Sequence, residues 1–113
     1  MSDATPHYPS VGVRRALRKL GADLRDARRR RHLPMAVVAE RAFTSRSTLQ
    51  RVEAGDTGVS IGIYAAVMHA LGFLAHLQEI ADISRDPVGQ VLASGDLPKR
   101  VRIKRTPGPK SDD

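Results

Sequence analysis

Between Val13 and Ile83 the apolar residues return every three or four positions, the spacing that lays one buried stripe along a helix. Val13, Leu17, Leu20, Leu24 and Ala27 predict a first helix over about 13–31. Pro34 suits the first turn of a second helix, where its missing N–H would be unpaired in any case. Val37, Val38 and Ala42 are that helix's expected buried face. Ser45 is a good N-cap for a third helix with Leu49 and Val52 inward, and Gly55 ends it by tolerating a left-handed conformation. After the loop Asp56-Thr57-Gly58, Ser60 caps a fourth helix whose inward residues are Ile61, Tyr64, Ala65, Met68 and Leu71. Gly72 separates it from a fifth, Phe73 to about Ile83, with a stripe of Phe73, Leu74, Leu77, Ile80 and Ala81.

Asp86-Pro87 opens a short further segment, Val88 to Ala93, that Gly95 is expected to end. From Leu97 to Arg105, Val and Ile alternate with basic residues, the pattern of an edge strand or of a basic arm. Residues 1–12 contain Pro6, Pro9, Ser10 and Gly12 without apolar periodicity, and Thr106 to Asp113 contains Pro107, Gly108 and Pro109. Both ends read as tails. The expected organisation is all-α: a tail over 1–12, a five-helix domain over 13–83, an extension over 84–105 and a second tail over 106–113. No internal repeat is visible.

Charge narrows the class of partner. Nineteen Lys and Arg against twelve Asp and Glu give +7, which favours an anionic partner, nucleic acid or a membrane surface. With no cysteine, disulfides and thiolate metal sites are excluded, and His7, His32, His69 and His76 lack ligand spacing. No metal site, cofactor or catalytic residue is therefore expected. The N-terminus lacks an apolar signal core, and no apolar run approaches the roughly 18 residues that span a bilayer. The expectation is a soluble cytoplasmic protein.

The stretch Ala39 to Gly55, AERAFTSRSTLQRVEAG, concentrates the chemistry. Two short helical segments meet across Ala42-Phe43-Thr44-Ser45, too tight for a flexible linker. With Leu49 and Val52 inward, the third helix turns Arg46, Ser47, Gln50 and Arg51 outward. Arg46, near the helix start, suits a bidentate pair with guanine O6 and N7, and Ser47 and Gln50 suit base edges. Arg51 reads a base or binds phosphate, depending on tilt. The bland alternative is a solvated polar face.

Ala39-Glu40-Arg41-Ala42, Ser45-Arg46-Ser47-Thr48-Leu49 and Val52-Glu53-Ala54-Gly55 resemble the phage-repressor-like helix-turn-helix family of Xre or Cro/C1 type, over roughly 33–72. The resemblance implies a third helix lying in the DNA major groove. It also implies an ion pair between Arg28 of the first helix and Glu53 at the end of the third. Ser45, Thr48, Arg30 and Arg31 are the expected phosphate contacts. Within Arg28-Arg29-Arg30-Arg31, contact with phosphate competes with a solvated helix end, where cations also suit the dipole.

Three positions depart from the family pattern. Phe43 stands where Gly is usual in the turn, so that either the turn is reshaped or Phe43 bears strain and packs against something. Met35 replaces the Gln that commonly grips a phosphate, and Pro34 replaces the Ser or Thr cap. Phosphate anchoring then falls to backbone N–H groups and Arg30, Arg31 or His32.

Gly55-Asp56-Thr57-Gly58-Val59-Ser60-Ile61-Gly62, Ala70-Leu71-Gly72, Asp86-Pro87 and Leu97-Pro98-Lys99-Arg100-Val101-Arg102 are similar to a narrower group, the HipB-like antitoxin regulators encoded beside HipA-like kinase toxins. That resemblance implies a homodimer on a palindromic operator, with recognition helices about 34 Å apart, holding the toxin and repressing its own operon. Arg100, Val101, Arg102 and Ile103 would pair with their symmetry mates as a small strand or lie on phosphates as a basic arm. A stand-alone transcription factor shares every DNA feature. An RNA-binding protein shares the charge, but Phe43, Tyr64 and Phe73 fit core positions better than a stacking surface. A lipid-bound basic first helix leaves the next three helices without a purpose. An enzyme lacks any phosphate-cradling Gly loop or nucleophile–base pair.

Overall fold

The computed structural model describes residues 8–100, and of residues 96–100 the backbone alone. The described residues form six α-helices and one 3-10 helix, with no strand among them. α1 spans Val11–Arg30, α2 Met35–Arg41, α3 Arg46–Glu53, α4 Ile61–Leu71 and α5 Leu74–Gln78. The 3-10 helix covers Ile83–Arg85, and α6 spans Pro87–Arg100. By their contacts, the described residues fall into two compact units, one ending at Leu77 and the other beginning at Gln78.

Serine caps start three of the helices of the first unit. The hydroxyls of Ser10, Ser45 and Ser60 accept the N–H groups of Val13, Thr48 and Ile63, satisfying donors that have no partner inside the helix. α1 therefore begins two residues before the expected start. Pro34 sits one position earlier than predicted, as the N-cap of α2, with ψ 153°. It offers no side-chain acceptor there.

Four helix ends share one device. Leu33 N–H reaches Arg28 C=O and His32 N–H reaches Arg29 C=O, the paired bonds of a Schellman turn. The same pairing closes α2 through Thr44 and Phe43, α3 through Asp56 and Gly55, and α4 through Phe73 and Gly72. Such a turn needs one residue at positive φ. Gly55 at 75° and Gly72 at 89° take it freely, whereas His32 and Phe43, both at 54°, take it with a Cβ in the way.

The core is built where α1 and α2 each pack on α3 and α4. Leu24, Ala27, Val38, Ala39, Ala42, Leu49, Val52, Val59, Tyr64, Val67, Met68 and Leu71 are buried together. α1 and the end of α3 meet backbone to backbone. A Cβ on Gly21 would stand 2.4 Å from the Val52 carbonyl oxygen, and one on Gly55 2.5 Å from Arg18 Cα. Only glycine permits that approach, which fixes α3 against α1.

Several sequence expectations are corrected. Val13 is exposed, because the first turns of α1 extend past the core. Ile61 is exposed too, and Val67 takes its place in a face of Tyr64, Val67, Met68 and Leu71 at helical spacing. The expected fifth helix stops at Gln78, leaving Ile80 and Ala81 exposed. Asp82 accepts the Ser84 N–H and hydroxyl, a local turn that competes with a continuing helix. In the second unit Asp86 caps α6 by accepting Gly89 N–H at 2.9 Å. α6 then passes through Gly95, which is not among the residues at positive φ, instead of ending there. A single glycine weakens a helix without requiring a stop. Leu97–Arg100 is consequently helical, so the expected strand or arm does not begin there. Val101, Arg102 and Ile103 lie outside the described residues.

Candidate nucleic-acid interface

Three anchors hold α3. At its start, Ser45 Oγ accepts Thr48 N–H at 3.0 Å and donates to Thr48 Oγ1 at 2.9 Å, with Ser47 Oγ 3.1 Å away. Along its inner side, Leu49 and Val52 are both 0% exposed. At its end, Glu53 receives Arg28 twice, from Nε at 2.7 Å and from Nη2 at 3.2 Å. Arg28 Nη1 also donates to the Leu33 carbonyl at 3.1 Å, so one buried guanidinium joins α1, the entry to α2 and the end of α3.

The anchors determine what faces out. Arg46, Ser47, Gln50 and Arg51 are all exposed, while Thr48 is half-buried in the cap. Gln50 shares a hollow with Arg25, Arg29 and Met35, over the Arg28–Glu53 pair. Its rim gathers two cations and an amide beside α3.

Arg30 and Arg31 do not share that hollow. Arg30 lines a different one, with Leu20, Asp23, Met68, Phe73 and His76. The Arg31 guanidinium lies 5.1 Å over the Phe73 ring and donates to the Ala27 carbonyl. Arg25 and Arg29 are four residues apart and share one helix face, whereas Arg30 and Arg31 are rotated by roughly 100° and 200° from Arg29. Reading the basic run as a block misses that rotation.

Arg51 is held by an acidic neighbour. Its Nε donates to Asp56 Oδ2 at 2.8 Å, and Gly58 N–H donates to Asp56 Oδ1 at 2.7 Å. The Arg51 hydrogen bond, helped by Gly58, lowers the Asp56 carboxyl below its ordinary value, and Asp56 raises Arg51 in turn. Tyr64 Oη donates to the Asp56 carbonyl at 2.8 Å, and burial pushes the Tyr64 hydroxyl above its ordinary value.

At Phe43 the turn is not reshaped, since Phe43 keeps the left-handed conformation, and its ring is 96% exposed, so it does not pack on the first helix. It stands two residues before the Ser45 cap.

A family profile for the helix-turn-helix domain matches residues 19–82, more than half the chain. The chain belongs to the helix-turn-helix domain family. Comparison with curated proteins and with solved structures gave no match. The matched span runs from α1 to the residue before the 3-10 helix and so contains both α2 and α3, and membership of this family supports DNA binding. Among the described residues no helix is long and apolar enough to cross a membrane, and no cluster of three His, Asp or Glu is placed to hold a metal.

Proposed function

We propose that this helix-turn-helix protein is a sequence-specific transcriptional regulator, the antitoxin and autorepressor of an operon encoding a HipA-like kinase toxin. It acts as a homodimer on a palindromic operator. One observation carries the DNA reading: complete burial of Leu49 and Val52 turns Arg46, Ser47 and Gln50 into solvent on a short, capped and salt-bridged helix. Arg46 reads guanine, Ser47 and Gln50 read neighbouring base edges, and Arg51 completes the set. Ser45 and Thr48 approach the backbone from the helix start. Arg25 and Arg29, which rim the hollow beside Gln50, take the phosphate role first expected of Arg30 and Arg31.

The antitoxin role rests on the likeness of the Gly55–Gly62, Ala70–Gly72, Asp86-Pro87 and Leu97–Arg102 segments to HipB-like regulators. Val88, Val91 and Leu92 of α6 are exposed at helical spacing, which supports residues 84–105 as a contact for a second copy or the toxin. A gel-shift on DNA upstream of the gene, with and without the neighbouring gene product, tests both parts. A specific shift that the neighbour's product alters supports the full reading. A specific shift that it leaves unchanged reduces the protein to a stand-alone regulator, and no specific shift removes the DNA reading.

A further inference from the structure

Arg51 lies in the last turn of α3, and a long arginine side chain in that position ordinarily samples many rotamers. Here its Nε is fixed to a carboxylate that is itself immobilised. Asp56 is tied at three points besides the Arg51 guanidinium. Its backbone N–H closes the Schellman turn onto the Arg51 carbonyl at 3.0 Å. Its carbonyl accepts the hydroxyl of buried Tyr64. Its second carboxylate oxygen accepts Gly58 N–H. A rigid acceptor therefore holds the Nε edge of the Arg51 guanidinium and places Nη2 beside Gly58, while neither Nη is hydrogen-bonded among the described residues.

This arrangement changes which anion or base Arg51 suits. Two coplanar donors match guanine O6 and N7. A phosphate would have to approach the Asp56 carboxylate as well, and the pair carries no net charge to attract it. An unpaired arginine makes no such distinction. We propose that Asp56 is a specificity-determining positioning residue, which aims the Arg51 guanidinium at a guanine of the operator and turns it away from phosphate. The proposal rests on the DNA reading above and names the base class that Arg51 takes. An exposed ion pair of no consequence to recognition is the competing account, since such pairs contribute little to stability.

The two accounts separate in base preference. Binding of the full-length protein to a randomised operator pool is compared with that of Arg46→Ala, Arg51→Ala, Asp56→Asn and the double variant Asp56→Asn/Arg51→Ala. Asparagine retains an oxygen for Gly58 N–H, and thermal melting by circular dichroism verifies that each variant is folded. Arg51→Ala is expected to lower the preference for guanine at one position of each half-site by about tenfold. Asp56→Asn should lower the preference at that same position at least about threefold, leave the Arg46 position intact, and raise affinity for non-cognate DNA at low salt. The double variant should discriminate no worse than Arg51→Ala alone. Wild-type preference in Asp56→Asn overturns the proposal, as does an Asp56→Asn effect of full size when Arg51 is absent. If neither Arg46→Ala nor Arg51→Ala changes preference at any position, the DNA reading itself fails and takes this one with it.

Discussion

Arg28 and Glu53, 25 residues apart in sequence, meet as a two-point ion pair whose side chains are 11% and 8% exposed. The pair joins the end of α1 to the end of α3, and the third nitrogen of Arg28 is bound to the Leu33 carbonyl. Removing one partner strands a buried charge. Arg28→Ala or Glu53→Ala is expected to cost about 3–5 kcal/mol of unfolding free energy. Urea denaturation measures this, and the double variant should lose less than the sum of the single ones. Losses under about 1 kcal/mol would mean that the pair behaves as a surface bridge.

Phe43 holds a left-handed conformation that Gly55 and Gly72 adopt without strain at equivalent helix ends. Its ring is solvent-exposed and contributes no packing to offset that strain. Phe43→Gly should therefore stabilise the domain by about 1 kcal/mol, the relief of a left-handed residue less the chain entropy of glycine. A thermal melt reads the change. A lower midpoint would show that the ring has packing value in solution.

The cations beside α3 should divide sharply by helix phase. Changing Arg25 and Arg29 together to Ala is expected to reduce the slope of log affinity against log salt by about 1.8, close to 0.9 for each phosphate that is no longer neutralised. Arg30→Ala with Arg31→Ala should leave the slope unchanged, because Arg31 stacks on Phe73 and Arg30 lines the other hollow. Fluorescence anisotropy across a salt series supplies both slopes. The reverse pattern would return the phosphate role to Arg30 and Arg31.

The third helix is legible in the sequence because its cues are local. Ser45 supplies the cap, Gly55 the left-handed exit, and Leu49 with Val52 the inward side, each readable from neighbours within a turn. The Arg28–Glu53 pair was reached through family resemblance, and the geometry agrees with it. What escaped depends on partners distant in sequence. Gly21 carries no local sign that its missing Cβ admits the Val52 carbonyl. Ile61 and Ile80 continue helical stripes yet find no core opposite them. Asp56 looks like an ordinary loop residue until Arg51, Gly58 and Tyr64 converge on it.

The Arg51–Asp56 pair also makes a prediction about pH. Its partners hold the Asp56 carboxyl below its ordinary value, so the folded state binds this proton less readily than the unfolded chain does. The contribution to stability is complete above the ordinary carboxylate value, about 3.9, and is lost as pH falls through the lower folded value. An NMR titration of the Asp56 carboxyl carbon should show the depression. Arg51→Ala should move the midpoint upward, leaving the smaller effect of Gly58. An unchanged midpoint would show that Arg51 does not hold the carboxylate in solution.

The outward face of α3 is tested most directly by binding to DNA from the protein's own upstream region. Wild type and Arg46→Ala are compared on the cognate site and on single-base variants of it. The expected result is a loss of about 1–3 kcal/mol for Arg46→Ala on the cognate site, with discrimination relaxed at one base pair of each half-site. An equal loss on every sequence would make Arg46 a backbone contact, and no loss on any sequence would contradict the assignment of α3 as the DNA-reading surface.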